Sequence, residues 1–506
     1  MFRRIRSYCL FGIKAVPVSV EVDSSQGLPG FTLVGLPDNA VRESRERVVS
    51  AVRSIGKVVT GFRTTVNLSP ADLRKEGSAL DLPLAIGMLD STGEIEIRNL
   101  ERYIFVGELS LDGLLKPVRG VLSIAMSLPK DDSSVLVVPR ANAEEAALVE
   151  GLRFVCVSSL KECVDFLEGK SGKVLVAEGL KRTPYAQDAY PDFSNVVGME
   201  GVKRALEVAA AGAHNFLLVG SPGAGKTLCA RCLPGILPDM TDEEILEATR
   251  IHSCARRAGD AHSFRPVMSR PFRTPHHSAS MVSLVGGGSR LLPGEASLAH
   301  NGVLFLDELP EFNRGVLEAL REPMEDGFIS VSRASGTVVW PARFMMGAAM
   351  NPCPCGFAMD PKRACTCLPD ARKRYREKIS GPLLDRIDIQ VSVPPMDSRA
   401  LVDGGVRESS ADIRRRVCDA RAVQRRRFEG LPFKSNSEMT SECARRFANM
   451  SDETERFAVA SSDRMNLSAR GFFRLLKVAR TIADLRRSPD VEIADLAEAL
   501  RYRTIG

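Results

Sequence analysis

An α/β nucleotide-binding core, flanked by a second α/β unit and a helical C-terminal unit, is the fold class that this 506-residue sequence predicts. Three observations carry it. The stretch GSPGAGKT, Gly220 to Thr227, follows the apolar run Phe216 to Val219 and opens the helix-compatible segment Leu228 to Leu233, the strand, loop and helix order of a phosphate-binding loop. A second apolar run, Val303 to Leu306, ends in Asp307 and Glu308. Residues 1 to 168 alternate short β-like runs with helical patterns, which indicates a compact α/β unit.

The loop explains its own composition. Gly220, Gly223 and Gly225, with Ser221, Pro222 and Ala224 between them, let backbone N–H groups curl around the β- and γ-phosphates of a nucleoside triphosphate. Lys226 reaches those phosphates as a cation, and the Thr227 hydroxyl can join a Mg²⁺ shell. A carboxylate at the end of a buried strand holds that Mg²⁺ through its water shell, a role that suits Asp307. Glu308 beside it can polarise an attacking water, so the pair points to ATP hydrolysis.

Along the first unit the β-like runs are Val18 to Val22, Phe31 to Val34, Thr64 to Leu68, Tyr103 to Val106, Val135 to Val138 and Phe154 to Val157. A linker, roughly 169 to 192, ends in the turn-prone DAYPDFS. The nucleotide motifs lie in a unit of residues 193 to 395. Residues 396 to 506 read as helical, with 3.6-type spacing at Phe472, Leu475, Leu476, Val478, Ala479 and Ile482. No internal repeat or long low-complexity tract interrupts this order.

No apolar run is long enough to span a bilayer. The start, MFRRIRSYCLFGIKAV, is broken by Lys14 and followed by no small-residue cleavage site, so it reads as a strand and the protein as cytoplasmic. Net charge is +6, which permits a polyanionic partner without demanding one. Residues 411 to 450 hold ten Arg or Lys against five Asp or Glu, including Arg414 to Arg416 and Arg425 to Arg427, and a second knot runs from Arg372 to Lys378. Either could be a solvated helix face or a nucleic-acid contact. Most of the twelve cysteines should be buried small hydrophobes. Cys353, Cys355, Cys365 and Cys367 differ: two CxC pairs in a Pro- and Gly-rich loop can fold four thiolates around one structural Zn²⁺, leaving no open position for catalysis. Free or redox-active thiols are the alternative.

Further motifs carry a family resemblance. RFMMGAAMN, Arg343 to Asn351, resembles the sensor-1 strand of an AAA+ ATPase, with Asn351 placed to orient the hydrolytic water. SGPLLDRIDI, Ser380 to Ile389, resembles the arginine-finger segment of the magnesium-chelatase and replicative-helicase branch, with Arg386 as the finger. LSARG, Leu467 to Gly471, is similar to sensor 2, with Arg470 as a second phosphate-contacting arginine. FRTPHHSASMVSLVGGG, Phe272 to Gly288, resembles the helix-2 insert of this clade, and FISVSRASGTVVWPA, Phe328 to Ala342, reads as two β runs about a Ser335–Gly336 turn where a pre-sensor-1 hairpin would sit. With NPCPCG and HNGVLFLDELPEF, nearly the whole chain resembles the ComM/YifB family of magnesium-chelatase-like AAA+ proteins.

The resemblance implies a P-loop AAA+ core, an N-terminal Lon-protease-like α/β domain and a C-terminal helical lid. It also implies ATP and Mg²⁺ as cofactors, a homo-oligomer expected to be a hexamer, and DNA as the partner of a branch-migration helicase in recombination and natural transformation. Remodelling of a protein partner, as in magnesium chelatase, is the alternative; the chain lacks the DxSxS metal-adhesion signature of the chelatase partner subunit. In the Lon-like pattern Ser78 falls nearest the nucleophile, and the lysine position falls on Leu122, which has no amine to take a proton. Lys116 lies six residues earlier, so the domain reads as a non-proteolytic scaffold. The pair His276 and His277 has no carboxylate or third histidine at ligand spacing in the sequence around it, and reads as a loop contact to substrate or a neighbouring subunit.

Overall fold

The computed structural model describes residues 1–503 except 60, 76, 130–132, 182–189, 257–263, 289–290, 334–335 and 396–406. Part of the expected linker, the Ser335 side of the hairpin turn and the start of the C-terminal unit lie outside the described residues.

The first unit is built on an eight-stranded mixed sheet whose spatial order runs Leu175–Val176, Arg153–Val157, Val135–Pro139, Tyr103–Phe105, Phe2–Phe11, Lys14–Gln26, Phe62–Ser69, Gly30–Val34. Each β-like run of the sequence reading falls in one of these strands, save that Val106 lies just past the end of Tyr103–Phe105. The segment read as linker contributes one more strand, Leu175–Val176, antiparallel to Arg153 and Phe154. Strands Phe2–Phe11 and Lys14–Gln26 form a long hairpin closed at Phe11 and Lys14. Gly12 takes φ +63° at its tip, a conformation that costs glycine nothing sterically.

The second unit is a five-stranded, wholly parallel sheet in the order Phe272–Arg273, Val303–Leu306, Met345–Met350, Phe216–Gly220, Ile389–Val393. Three of these strands, Phe216–Gly220, Val303–Leu306 and Met345–Met350, are buried at every residue, as expected of a sheet covered on both faces. Their C-terminal ends share one edge, and ligands of open α/β sheets bind there.

Helices dominate residues 410 to 503: Ser410–Arg427, Ser441–Ala448, Asp452–Arg464, Ala469–Leu485 and Ile493–Arg501. The apolar stripe of Ala469–Leu485 packs with helix Glu200–Gly212 in one continuous core. The arginines of Ser410–Arg427 divide into two classes. Arg416 pairs with Glu207, Arg414 with Asp239, and Arg427 with the fully buried Asp484, so these bind the helical unit to the sheet unit or to itself. Arg425 and Arg426 remain exposed. Asp484 is also paired with the buried Arg480 at 3.0 Å, so Arg427 belongs to a buried ionic cluster whose disruption is costly, and its role is stability.

One of the contacts between the two α/β units is a small apolar joint. Ile13 from the first hairpin packs with Ile251, Cys254, Leu291, Val338 and Trp340, and the Trp340 indole N–H donates to the Leu291 carbonyl at 3.2 Å. A Cβ on Gly12 would lie 2.0 Å from Val338 Cγ1. The hairpin Phe328–Arg333 with Gly336–Pro341 is therefore mounted on the first unit along one face.

Candidate nucleotide site and its arginine edge

Strand Phe216–Gly220 ends at the loop, and helix Lys226–Cys232 begins directly after it. Gly223 and Gly225 take φ +77° and +86°, so the chain can turn its amides inward. Lys226 is buried, and its ammonium donates to the Gly220 carbonyl at 2.7 Å, the Ser221 carbonyl at 3.0 Å and Asn351 Oδ1 at 3.1 Å. Burial pushes its pKa below the ordinary lysine value, against the pull of Asp307 and Glu308. Ser221 Oγ is buried without a hydrogen-bond partner among the described residues. A buried polar atom left unpaired points to a missing partner, and a phosphate oxygen or water satisfies that need.

Strand Val303–Leu306 lies beside Met345–Met350, itself beside the loop strand. This register carries Asp307 and Asn351 to one edge. The Thr227 hydroxyl donates to Asp307 Oδ2 at 2.7 Å, so a hydroxyl and a carboxylate already converge as two hard oxygen donors suited to Mg²⁺. Glu308 is 57 % exposed and sits at φ +53°, a left-handed conformation that a non-glycine residue holds only when its surroundings impose it. A cavity of about 540 Å³ opens beside it, lined by Glu308, Asn351, Pro354, Arg374, Tyr375 and Lys378. Burial pushes the Tyr375 hydroxyl up to about 12. The basic knot at Arg372 to Lys378 thus lies on helix Pro369–Glu377 at the rim of the nucleotide site.

The two arginines of the sequence reading lie elsewhere. Asp388 and Ile389 donate their N–H groups to the Asn215 carbonyl, one residue before strand Phe216–Gly220, so Arg386 sits at the N-terminal edge of the parallel sheet. Strand Phe216–Gly220 runs five residues, and the four steps from its first to its last span about 13 Å at the usual rise. Arg386 is 6 % exposed, pairs with Glu325 and donates to the Pro382 carbonyl at 2.7 Å. Arg470, 73 % exposed, approaches the same Glu325 carboxylate at 3.8 Å. Hydrogen bonding from Arg386 holds that carboxyl below the usual range. Nearby, burial alone would raise Asp388, but His214 and Arg474 outweigh it and hold it at about 2. The loop, Asp307, Glu308 and Asn351 are brought together; Arg386 and Arg470 are brought together on the opposite edge.

Two contacts were not legible in the sequence. His277 Nδ1 lies 3.2 Å from Glu308 Oε2, so the carboxylate missing around the histidine pair comes from a distant strand end. A Cβ on Gly356 would lie 2.5 Å from Pro222 Cδ, so the cysteine loop rests on the phosphate loop itself. Within that loop Cys353, Cys355 and Cys365 have sulfurs 3.4 to 3.5 Å apart, and the ligand atoms of all four cysteines lie within 4.8 Å of one another. Tetrahedral zinc with bonds near 2.3 Å sets sulfurs about 3.8 Å apart, so the four fit that ion with small adjustment. In the first unit Leu122 is fully buried on helix Val121–Ser127, Ser78 donates to Glu108, and Lys116 stands opposite Glu108 across a short hairpin.

The chain matches three family models: Mg_chelatase (magnesium chelatase, subunit ChlI) over residues 192–401, subunit ChlI of Mg-chelatase over 20–142, and the ChlI C-terminal model over 407–503. It is 41 % identical to the competence protein ComM of Haemophilus influenzae over 504 residues, covering 99 % of this chain and 97 % of the relative. It is 42 % identical to YifB of Escherichia coli over 506 residues, covering 99 % and 97 %. Likeness to Lon protease 2 of Bacillus subtilis is partial, 25 % over 124 residues, or 24 % of this chain and 22 % of the relative. No helix among the described residues is long and apolar enough to cross a membrane. With a phosphate-loop motif, an acidic strand end and the polar strand end at Asn351 on one parallel sheet, and with 41 to 42 % identity to these relatives over nearly its full length, the chain belongs to the ComM/YifB family of magnesium-chelatase-like AAA+ ATPases.

Proposed function

We propose that this chain is an ATP-driven motor on DNA that works as a hexameric ring and promotes branch migration of recombination intermediates. The observation that carries the ring is the division of the site: Lys226, Thr227, Asp307, Glu308 and Asn351 occupy one edge of the sheet, and Arg386 and Arg470 the other. A subunit so divided completes its site only from a neighbour, and a head-to-tail contact of that kind gives a ring where its rotation closes. Lys226 and the amides of Gly220 to Gly225 hold the β- and γ-phosphates. Thr227 and Asp307 hold Mg²⁺, which when bound neutralises phosphate charge. Glu308 takes a proton from the attacking water, Asn351 orients that water, and the neighbour's Arg386 and Arg470 meet charge developing on the γ-phosphate.

The DNA reading is supported by the relation to a competence protein and by the exposed Arg333 of the mounted hairpin. Arg425 and Arg426 add exposed positive charge. The first unit serves as a scaffold, since buried Leu122 supplies no base for Ser78. Forked and four-way DNA are expected to stimulate ATP hydrolysis, and a synthetic four-way junction to undergo ATP-dependent strand exchange. Stimulation by a protein partner with no response to DNA would favour the chelatase-like alternative instead.

Cys353, Cys355, Cys365 and Cys367 hold one structural zinc in this reading, supported by their convergence. Protein purified without added metal is expected to contain one zinc per chain by elemental analysis. Cys365→Ser should lose it and lower the unfolding temperature, while Cys418→Ser should keep it. Metal near zero with four titratable thiols would rule the site out.

A further inference from the structure

The backbone of Arg386 is held at the N-terminal end of the strand that leads to the phosphate loop. Helix Glu200–Gly212 stops short of that strand, and Ala213 turns the chain at φ +55°. His214 and Asn215 follow, directly before Phe216–Gly220. The Asn215 side chain bonds in two directions: its Nδ2 donates to the Arg386 carbonyl at 2.9 Å, and its Oδ1 accepts from the Met346 N–H at 2.8 Å. Its own carbonyl accepts from the N–H groups of Asp388 and Ile389, each at 3.0 Å. One residue thus ties the arginine segment to the phosphate-loop strand and to strand Met345–Met350, which leads to Asn351.

A second tie runs through the neighbouring residues. The ring nitrogens of the fully buried His214 lie 3.1 Å from Asp388 Oδ2 and 2.8 Å from the Thr481 hydroxyl. A Cβ on Gly212 would lie 2.2 Å from His214 Nε2 and 2.6 Å from Thr481 Oγ1, so glycine at that position makes room for the ring between the arginine segment and helix Ala469–Leu485. The Arg386 side chain is held differently. It pairs with the partly exposed Glu325 and donates to the Pro382 carbonyl, while its Nε is buried with no hydrogen-bond partner among the described residues. A buried donor without a partner points to a ligand that completes it. The backbone is fixed, and the guanidinium keeps a donor unused.

We infer that Asn215 is a positioning residue for Arg386: it seats the arginine segment on the subunit's own phosphate-loop strand, so that each subunit presents its finger to the neighbour in a register set by its own nucleotide-binding sheet. Such a contact tolerates little error, since a misplacement of about 1 Å costs on the order of 10²-fold in rate. Asn215 touches neither phosphate nor metal, because it lies at the opposite end of Phe216–Gly220 from the loop. The inference rests on Arg386 serving a neighbouring subunit, as proposed above.

The test uses pairs of full-length variants co-expressed so that mixed assemblies form. Asn215→Ala alone is expected to bind ATP with near wild-type affinity and to hydrolyse it about 10²-fold more slowly. It keeps an intact phosphate loop but lacks a well-placed finger. Pairing it with Lys226→Ala, which has the finger and lacks the loop, should therefore recover part of the rate. Pairing it with Arg386→Ala should recover nothing, because neither subunit then offers a working finger. A residue that merely supports its own phosphate-loop strand gives the inverse pattern, recovery with Arg386→Ala and none with Lys226→Ala. That inverse pattern, recovery with neither partner, or a wild-type rate in folded Asn215→Ala protein overturns the inference. Should Asn215→Ala fail to fold, Asn215→Asp takes its place with the same outcomes: it keeps an acceptor for the Met346 N–H and loses the donor to the Arg386 carbonyl. The reference pair Arg386→Ala with Lys226→Ala separates the two ideas. No recovery in that pair overturns the trans finger itself, whereas recovery there beside the inverse pattern for Asn215 overturns only the positioning role.

Discussion

Replacing Arg386 by alanine is expected to leave ATP binding close to the wild-type level while slowing hydrolysis by about 10³-fold or more, the range of arginine fingers donated in trans. The geometry supplies the reason. Arg386 sits at the opposite end of strand Phe216–Gly220 from its own phosphate loop, so it cannot serve that loop without unfolding the sheet. Its loss should not unfold the subunit either. The carboxylate it leaves behind, Glu325, is 45 % exposed and keeps Arg470 nearby, so solvent screens the unpaired charge. Mixing Arg386→Ala subunits with Lys226→Ala subunits should recover part of the rate at interfaces where an intact loop meets an intact finger, provided subunits exchange. A rate per chain that does not change on dilution to a monomer would remove both the trans finger and the ring.

Glu308→Gln and Lys226→Ala should both abolish turnover but for opposite reasons. The glutamine keeps the side-chain shape and leaves Thr227, Asp307 and Lys226 in place. A fluorescent ATP analogue should therefore still bind, while hydrolysis falls by about 10² to 10⁴, the usual worth of a general base. Lys226→Ala removes the cation that bridges Gly220, Ser221 and Asn351, so affinity for nucleotide, and any assembly that depends on it, should fall with the rate. Hydrolysis by Glu308→Gln at the wild-type rate would transfer the role of base to another group. Tight nucleotide binding by Lys226→Ala would show that the loop amides suffice.

Local chemistry was readable along the chain because neighbouring residues build it. The phosphate loop needs only the strand, the glycines and the helix start that follow one another from Phe216 to Cys232. The cysteine array is equally local: the turn-rich chain between Cys353 and Cys367 folds back on itself and brings the two pairs together within one loop. The β-like runs of the first unit were legible for the same reason: alternation and apolar content mark a strand wherever it pairs. The basic runs were not. Arg414, Arg416, Arg425 and Arg427 share one helix, yet acidic residues distant in sequence decide which of them are tied down and which stay exposed.

Fold class, family and the order of the motifs could be read from the chain alone, because each is written in contiguous residues or in a periodic pattern. Which motifs meet depended on how the strands pair and pack. Parallel strand register puts Asn351 beside Lys226 and sends Arg386 and Arg470 to the far edge. Packing of the insert against Phe312 brings His277 to Glu308, and the hairpin tip at Gly12 and Ile13 locks onto Val338 and Trp340. Register and packing depend on the whole buried surface at once, and no local pattern of residues contains them.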